Sequence, residues 1–229
     1  MQEIWLLTII LGLIWCQIIA HFGSSILLHR YYSHKTIKKV PVWYEWLWGW
    51  IMTMVGSRSI IGWVSAHRMH HKFSDTEKDP HSPAIKGFWR IFFHIWHVPT
   101  IPKKYAQDLF KNPQLVFFHK NWVKVLLLTW LVSYSIDVLL GNAFTPYFFI
   151  GFVLMPVLFT QIGFGLLNSV GHGVTCFNKT SKGPQNIIWI NFFIAGEGWH
   201  EVHHDEPWKA RLHKYDTAGW LSEKFFQTT

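Results

Sequence analysis

Imidazole side chains recur in this chain at spacings suited to holding a metal. Two His-x-x-His-His segments occur, His67-Arg-Met-His70-His71 and His200-Glu-Val-His203-His204. On an α-helix, positions i, i+3 and i+4 share one face, so each segment presents converging ring nitrogens. Adjacent histidines such as His70 and His71 splay by about 100° around the helix, which lets one segment serve two ions. With 15 His in 229 residues, chance supplies such a segment with an expected count on the order of 0.06, so two are not an accident of composition.

Two further elements extend the pattern. His29-Arg-Tyr-Tyr-Ser-His34 has a spacing of five, which turns an α-helix by about 500° and does not give one face. The expectation is a helix ending near His29, with His34 folding back from the loop that follows. In Asn168-Ser-Val-Gly-His172 the spacing of four does stack both side chains on one face.

The elements that position these groups are apolar. The chain is 50% hydrophobic, with 15 Trp and 19 Phe, and only 15% of its residues are charged, low for a soluble protein. Its length suits one compact unit, read as a single domain over 1–229. All 21 Lys and Arg fall within 30–124 and 179–224. The blocks without them carry the apolar runs 4–28 and 146–169, and a third run, 122–140, begins beside the last lysine of the first basic block. Each is long enough to cross a bilayer as a helix, the first spanning roughly 37 Å. The short link 141–145 makes a hairpin of the second and third. Such long uncharged runs argue against a large soluble helical core. Met1-Gln2-Glu3 lacks the basic start of a signal peptide, so 4–28 is read as a span. Cys16 and Cys176 form no disulfide framework or Cys-x-x-Cys site.

The formal charge of +8 raises nucleic-acid binding as one reading. Strict segregation of Lys and Arg favours the other, in which basic residues gather on the cytoplasmic side of spans. No nucleic-acid partner is expected, whereas anionic membrane lipid suits the basic face.

The histidines can share a site only if they lie on one membrane face. A full crossing by segment 42–66 would carry His67 some 30 Å from His34. That segment holds Glu45, Gly49, Gly56, Arg58 and Gly62, and its Trp residues suit an interface. It is therefore read as re-entrant or interfacial. The expected fold is an all-α integral membrane protein with three spans and its N-terminus outside. A cytoplasmic helical cap, 67–120 and 172–229, carries the His-rich site.

At this point the pattern resembles a known family. H-x4-H, then H-x2-H-H twice, with N-x3-H before the last, is similar to the membrane-bound fatty acid desaturases. The likeness is strongest to the Δ9 type, which acts on acyl-CoA or lipid-bound acyl chains. It is carried by His29–His34, by HRMHHKFSDTEKDPHSP over 67–83 and by GEGWHEVHH over 196–204, and it extends from about residue 20 to 220. The resemblance implies nine ligands on a pair of irons: His29, His34, His67, His70, His71, His172, His200, His203 and His204. Asn168 would hold a water on one iron. The acyl chain, carried by CoA, carrier protein or glycerolipid, would lie in a kinked tunnel between the spans. Two electrons and one O2 would remove two hydrogens and leave a cis double bond and water. An unactivated methylene C–H is beyond any side-chain base, so a metal-based oxidant is chemically required.

The chain departs from the pattern in places. Most relatives carry another span before the first His box, where 28 residues here leave room for one. Glu206-Pro207 stands where an aromatic-Pro pair is often found. No His-Pro-Gly-Gly haem signature occurs, so a separate ferredoxin or cytochrome b5 type protein is expected to donate electrons. Two alternatives stay open. Hydroxylases of the same superfamily often have H-x3-H as the first box, and a metal transporter would place its ligands near mid-membrane.

Glu197, Glu201, Asp79 and Asp205 are candidates to orient ligand imidazoles or are plain solvated carboxylates. His81 is a candidate to orient a ligand or touch substrate. His21 is expected to pack against another helix, and His94, His97, His119 and His213 to sit at interfaces. Arg68, Lys72 and Lys78 could meet a substrate phosphate or a carrier protein, or merely follow the positive-inside rule. No substrate-binding residue is assigned.

Overall fold

The computed structural model describes residues 2–95 and 100–229. Helices build the fold, and among the described residues strand pairing is confined to isolated bridges such as Ile37 with Thr228. The first helix, α1 (Gln2–Ile18), continues without a break as a π-helix over Ile19–Ser33. It is followed by α2 (Val42–Met54), α3 (Ile60–Phe73), and the short α4 (Pro83–Lys86) and α5 (Phe88–Phe92). The long α6 (Pro113–Leu139) turns back through α7 (Tyr147–Phe149) and a π-helical turn, Ile150–Leu154, into α8 (Met155–Ser169). The chain ends with α9 (His200–Asp205) and α10 (Thr217–Phe225).

Three helices are long and apolar enough to cross a membrane: Gln2–Ser33, Pro113–Leu139 and Tyr147–His172. Their exposure marks where the apolar surface stops. On α1, Leu6, Leu7, Ile10, Ile14 and Ile18 are exposed, whereas from Ile19 nearly every residue is buried. On α8 the last exposed apolar residue is Ile162. Apolar side chains exposed in such a continuous band belong in hydrocarbon.

The first span does not end near His29. In the π-helix each N–H bonds five residues back, as His34 N–H does to the His29 carbonyl at 3.0 Å. With about 4.4 residues per turn, a spacing of five rotates roughly 410°, so His34 returns to within about 50° of His29. The wider turn makes one face of a spacing that an α-helix would scatter.

Segment 42–66 folds into α2 and the first half of α3, and neither helix is among the candidate spans. Close approach is built in: a Cβ on Gly23 would lie 2.5 Å from Met52 Sδ, and one on Gly49 2.5 Å from the Phe118 ring. The boundary at 66 is not observed, because α3 runs through the whole second His box. Similarly, α6 starts at Pro113 rather than 122, with the Asn112 side chain accepting from Leu115 N–H at 3.1 Å. At the hairpin, the buried Asp137 carboxylate accepts from Phe148 and Phe149 N–H at 3.0 and 2.7 Å and caps the returning helix.

Candidate metal centre

The elements converge their histidines into two groups. His29, His34, His67, His71 and His203 form one; His70, His172, His200 and His204 form the other. Within each, one ring nitrogen per residue lies within 4.8 Å of all the others. The division follows helical geometry. On α3, His67 and His71 are four apart and face the first group, while His70 turns to the second. On α9 the roles reverse, with His200 and His204 in the second group and His203 in the first.

The nitrogen spacing has a physical meaning. His29 Nε2 lies 3.0 Å from His203 Nε2, His34 Nε2 2.8 Å from His67 Nε2, and His203 Nε2 2.8 Å from His71 Nε2. In the second group His172 and His200 meet through Nε2 at 3.0 Å. Ligands at about 2.1 Å on adjacent corners of an octahedral ion stand about 3.0 Å apart. His70 Nε2 and His204 Nε2 are buried without a hydrogen-bond partner. A lone pair left so is costly unless a cation accepts it. Burial first, and neighbouring imidazoles second, hold His34, His67, His200 and His203 far below the usual histidine pKa and bring His71 to about 2. These rings are neutral near pH 7, as ligation requires.

Three carboxylates face the outer nitrogens. Glu197 Oε2 lies 2.8 Å from His29 Nδ1, Asp79 Oδ2 2.9 Å from His70 Nδ1, and Asp75 Oδ2 2.9 Å from His172 Nδ1. Each partner assigns the proton to Nδ1 and leaves the Nε2 lone pair inward. Burial alone would raise Asp79 and Glu197. For Asp79, the His70 hydrogen bond and the neighbouring His70 and His81 outweigh it; for Glu197, His29 and Arg30 do. Both carboxyls are lowered to about 2. Asp75 was not singled out from sequence, although it sits in the SDTEKDPH stretch beside the box. Glu201 instead bonds Asn186 at 2.9 Å, and Asp205 has no histidine partner among the described residues.

Behind Glu197 lies a buried ion network. Arg30 Nη1 donates to Glu197 at 2.6 Å, Nη2 to Asp216 at 2.8 Å and Nε to the Ala210 carbonyl at 2.8 Å, with Ser25 Oγ between Arg30 and Glu197. It ties the first span to the segment leading into α10. A Cβ on Gly196, which has φ +83°, would collide with Asp216 Oδ1.

A cavity of about 300 Å³ adjoins the centre. Asn168 lines it, together with Trp63, His67, His81 and Phe164. Trp63 stacks on His67 at 5.2 Å between ring centroids. His81 is buried against Asp79, with its ring 4.3 Å from that of His70. Other candidates are structural. His21 bridges the Gln17 carbonyl and Thr217 Oγ1, His94 Nε2 meets the Gln161 carbonyl, His119 bonds Ser59, and His213 stacks on Trp199. Arg68 pairs with Asp108 and donates to the Tyr32, Ser33 and Tyr105 carbonyls, which engages its guanidinium within the fold. Lys72 and Lys78 lie over the Phe73 ring. His97 lies outside the described residues.

Comparison with known proteins agrees with this geometry. The sequence model of the fatty acid desaturase family matches residues 4–227. The chain is 32% identical over 214 residues to an sn-1 stearoyl-lipid 9-desaturase of Synechocystis, covering 89% of this chain and 64% of that protein. It is 31% identical to a Delta-9 acyl-lipid desaturase of Arabidopsis thaliana, covering 80% and 59%. It is 32% identical to an acyl-CoA C20 Delta5-desaturase of Anemone leveillei, covering 83% and 60%. The chain thus spans about six tenths of the length of these relatives. On the family match and the two histidine groups together, the chain belongs to the fatty acid desaturase family.

Proposed function

We propose that the chain is an O2-dependent acyl desaturase of the Δ9 type that introduces a cis double bond into a saturated fatty acyl chain. The carrying observation is the pair of adjoining histidine groups, five and four strong, whose buried nitrogens stand at ligand spacing. In this reading each group would hold one iron: His29, His34, His67, His71 and His203 the first, and His70, His172, His200 and His204 the second, with Asn168 contributing through a water. Two bound irons would supply the oxidising power, drawn from O2 and two electrons, that a methylene C–H demands.

The chain's own residues do the rest. Neutral imidazoles offer lone pairs without prior deprotonation, and Glu197, Asp79 and Asp75 fix their orientation and offset the charge of the ions. The cavity along α3 takes the acyl chain, with the stacked pair of Trp63 and His67 as its wall toward the centre. Apolar walls exclude water from the carbons to be oxidised. The names of the relatives, which act on lipid-bound or CoA-bound acyl chains, support the substrate class. Residues 1–229 act as one multi-pass membrane unit with the histidine centre on the cytoplasmic side. A separate ferredoxin or cytochrome b5 type protein brings the electrons there.

The test is iron content and product together. Purified protein supplied with an electron donor should hold two irons and convert a stearoyl donor to a cis monoene. Exclusively hydroxylated product would favour the hydroxylase reading instead.

A further inference from the structure

The two histidine groups differ in the charge that stands behind them. Behind the first, Glu197 faces His29 Nδ1 and is met on its other oxygen by Arg30 Nη1 at 2.6 Å. Arg30 also pairs with Asp216. Arg68, next to His67 in sequence, pairs with Asp108, which takes Lys35 as well. Around this group three carboxylates, Glu197, Asp216 and Asp108, are matched by three cations, Arg30, Arg68 and Lys35.

Behind the second group no such match exists. Asp79 Oδ2 faces His70 Nδ1 and Asp75 Oδ2 faces His172 Nδ1, each at 2.9 Å. Asp79 is buried, and its further contacts are the Asp75 and His81 backbone N–H groups and the His81 ring. Burial lowers His81 to about 3, so that ring is neutral and adds no countercharge. Among the described residues neither carboxylate pairs with an arginine or lysine, and the neighbouring Lys78 and Lys182 are exposed. Two negative charges are left uncompensated against neutral imidazoles.

Uncompensated negative charge favours the more highly charged state of an ion beside it. At an effective dielectric of about 20, a unit charge roughly 7 Å away shifts such an equilibrium by tens-fold. We infer that the two irons are unequal: the one on His70, His172, His200 and His204 is the harder to reduce, and the first electron delivered settles on the one held by His29, His34, His67, His71 and His203. This rests on the reading that each group holds an iron. Each reduction, Fe3+ to Fe2+, takes one electron from the separate donor and breaks no bond in the chain. Asp75 and Asp79 touch no reacting atom; they act through His172 and His70 as positioning residues that hold the second potential down. Arg30 offsets Glu197, so the first potential is not lowered in the same way.

The test is an anaerobic reductive titration of the full chain in detergent, saturated with Mössbauer-active iron and without substrate. Wild-type protein should show two ferric signals that disappear at different potentials. Asp75→Asn and Asp79→Asn should each raise the lower potential by at least about tenfold in the reduction constant, about 59 mV, and narrow the gap. Asp75→Glu keeps the charge and should keep the gap. Glu197→Gln should raise the higher potential and widen the gap, an opposite sign that a loss of packing does not give. The two aspartate variants are read separately, so one that fails to fold leaves the other to decide. A single potential shared by both irons in wild type, or aspartate variants that leave the gap unchanged or move the signal reduced first, overturns the inference. Wild-type protein that holds fewer than two irons would instead remove the metal reading beneath it.

Discussion

His29 and His203 point Nε2 at Nε2 across 3.0 Å, although 174 positions separate them in sequence. Two lone-pair nitrogens do not settle at that distance in a dry interior without a proton or cation between them. The contact joins the first span to α9, so one ion would hold together the two ends of the chain. Replacing His203 by Ala should lower bound iron from two per chain to one or fewer, and reduce desaturation at least about a hundredfold. Metal analysis of the purified variant checks this; full iron content would remove His203 from the ligand set.

Asp79 acts on the centre through His70. Asp79→Asn keeps shape and volume but replaces the carboxylate that holds the Nδ1 proton. Iron affinity should fall about 10- to 100-fold, with the helical content unchanged. Asp75→Asn should do the same through His172. Competition with a chelator measures both, and an unaltered affinity would make these carboxylates bystanders.

Arg30 is the keystone of the ion network behind Glu197. Arg30→Met leaves Glu197 and Asp216 buried without a countercharge, a loss expected at about 3–5 kcal/mol. Adding Glu197→Gln and Asp216→Asn should recover part of it. Thermal unfolding in detergent reads the difference, and a single variant as stable as wild type would show the network to be dispensable.

Much of this was legible in the residues. The two His-x-x-His-His boxes obey α-helical periodicity, so their shared face and the splay of His70 from His71 could be read from spacing. The spans declared themselves by hydropathy and by where lysine and arginine stop. What spacing could not give was a helix of another pitch: His29 and His34 are five apart, and only a π-turn aligns them. Asp75, Arg30 and Asp216 were also hidden, because their partners lie 97, 167 and 186 positions away and carry no local signature.

The buried imidazoles set a pH dependence. His34, His67, His71, His200 and His203 are depressed below the ordinary value of 6.5, chiefly by burial. Below about pH 6.5 the unfolded chain takes up protons that the folded one refuses, so stability falls as pH falls. Their contribution is fully present above that value. Metal-free protein should unfold at a clearly lower temperature at pH 5.5 than at pH 8, and bound iron should be released over the same range. A midpoint that rises on acidification would contradict the burial of neutral rings.

The most direct measurement is the product itself. Iron-loaded protein is given O2, reductant, an electron carrier and a stearoyl donor, and the acyl chains are analysed by mass spectrometry with double-bond positioning. The expected product is a cis double bond between carbons 9 and 10, lost when His70 is replaced by Ala. Unchanged saturated chains from protein holding two irons, or hydroxylated chains alone, would contradict it.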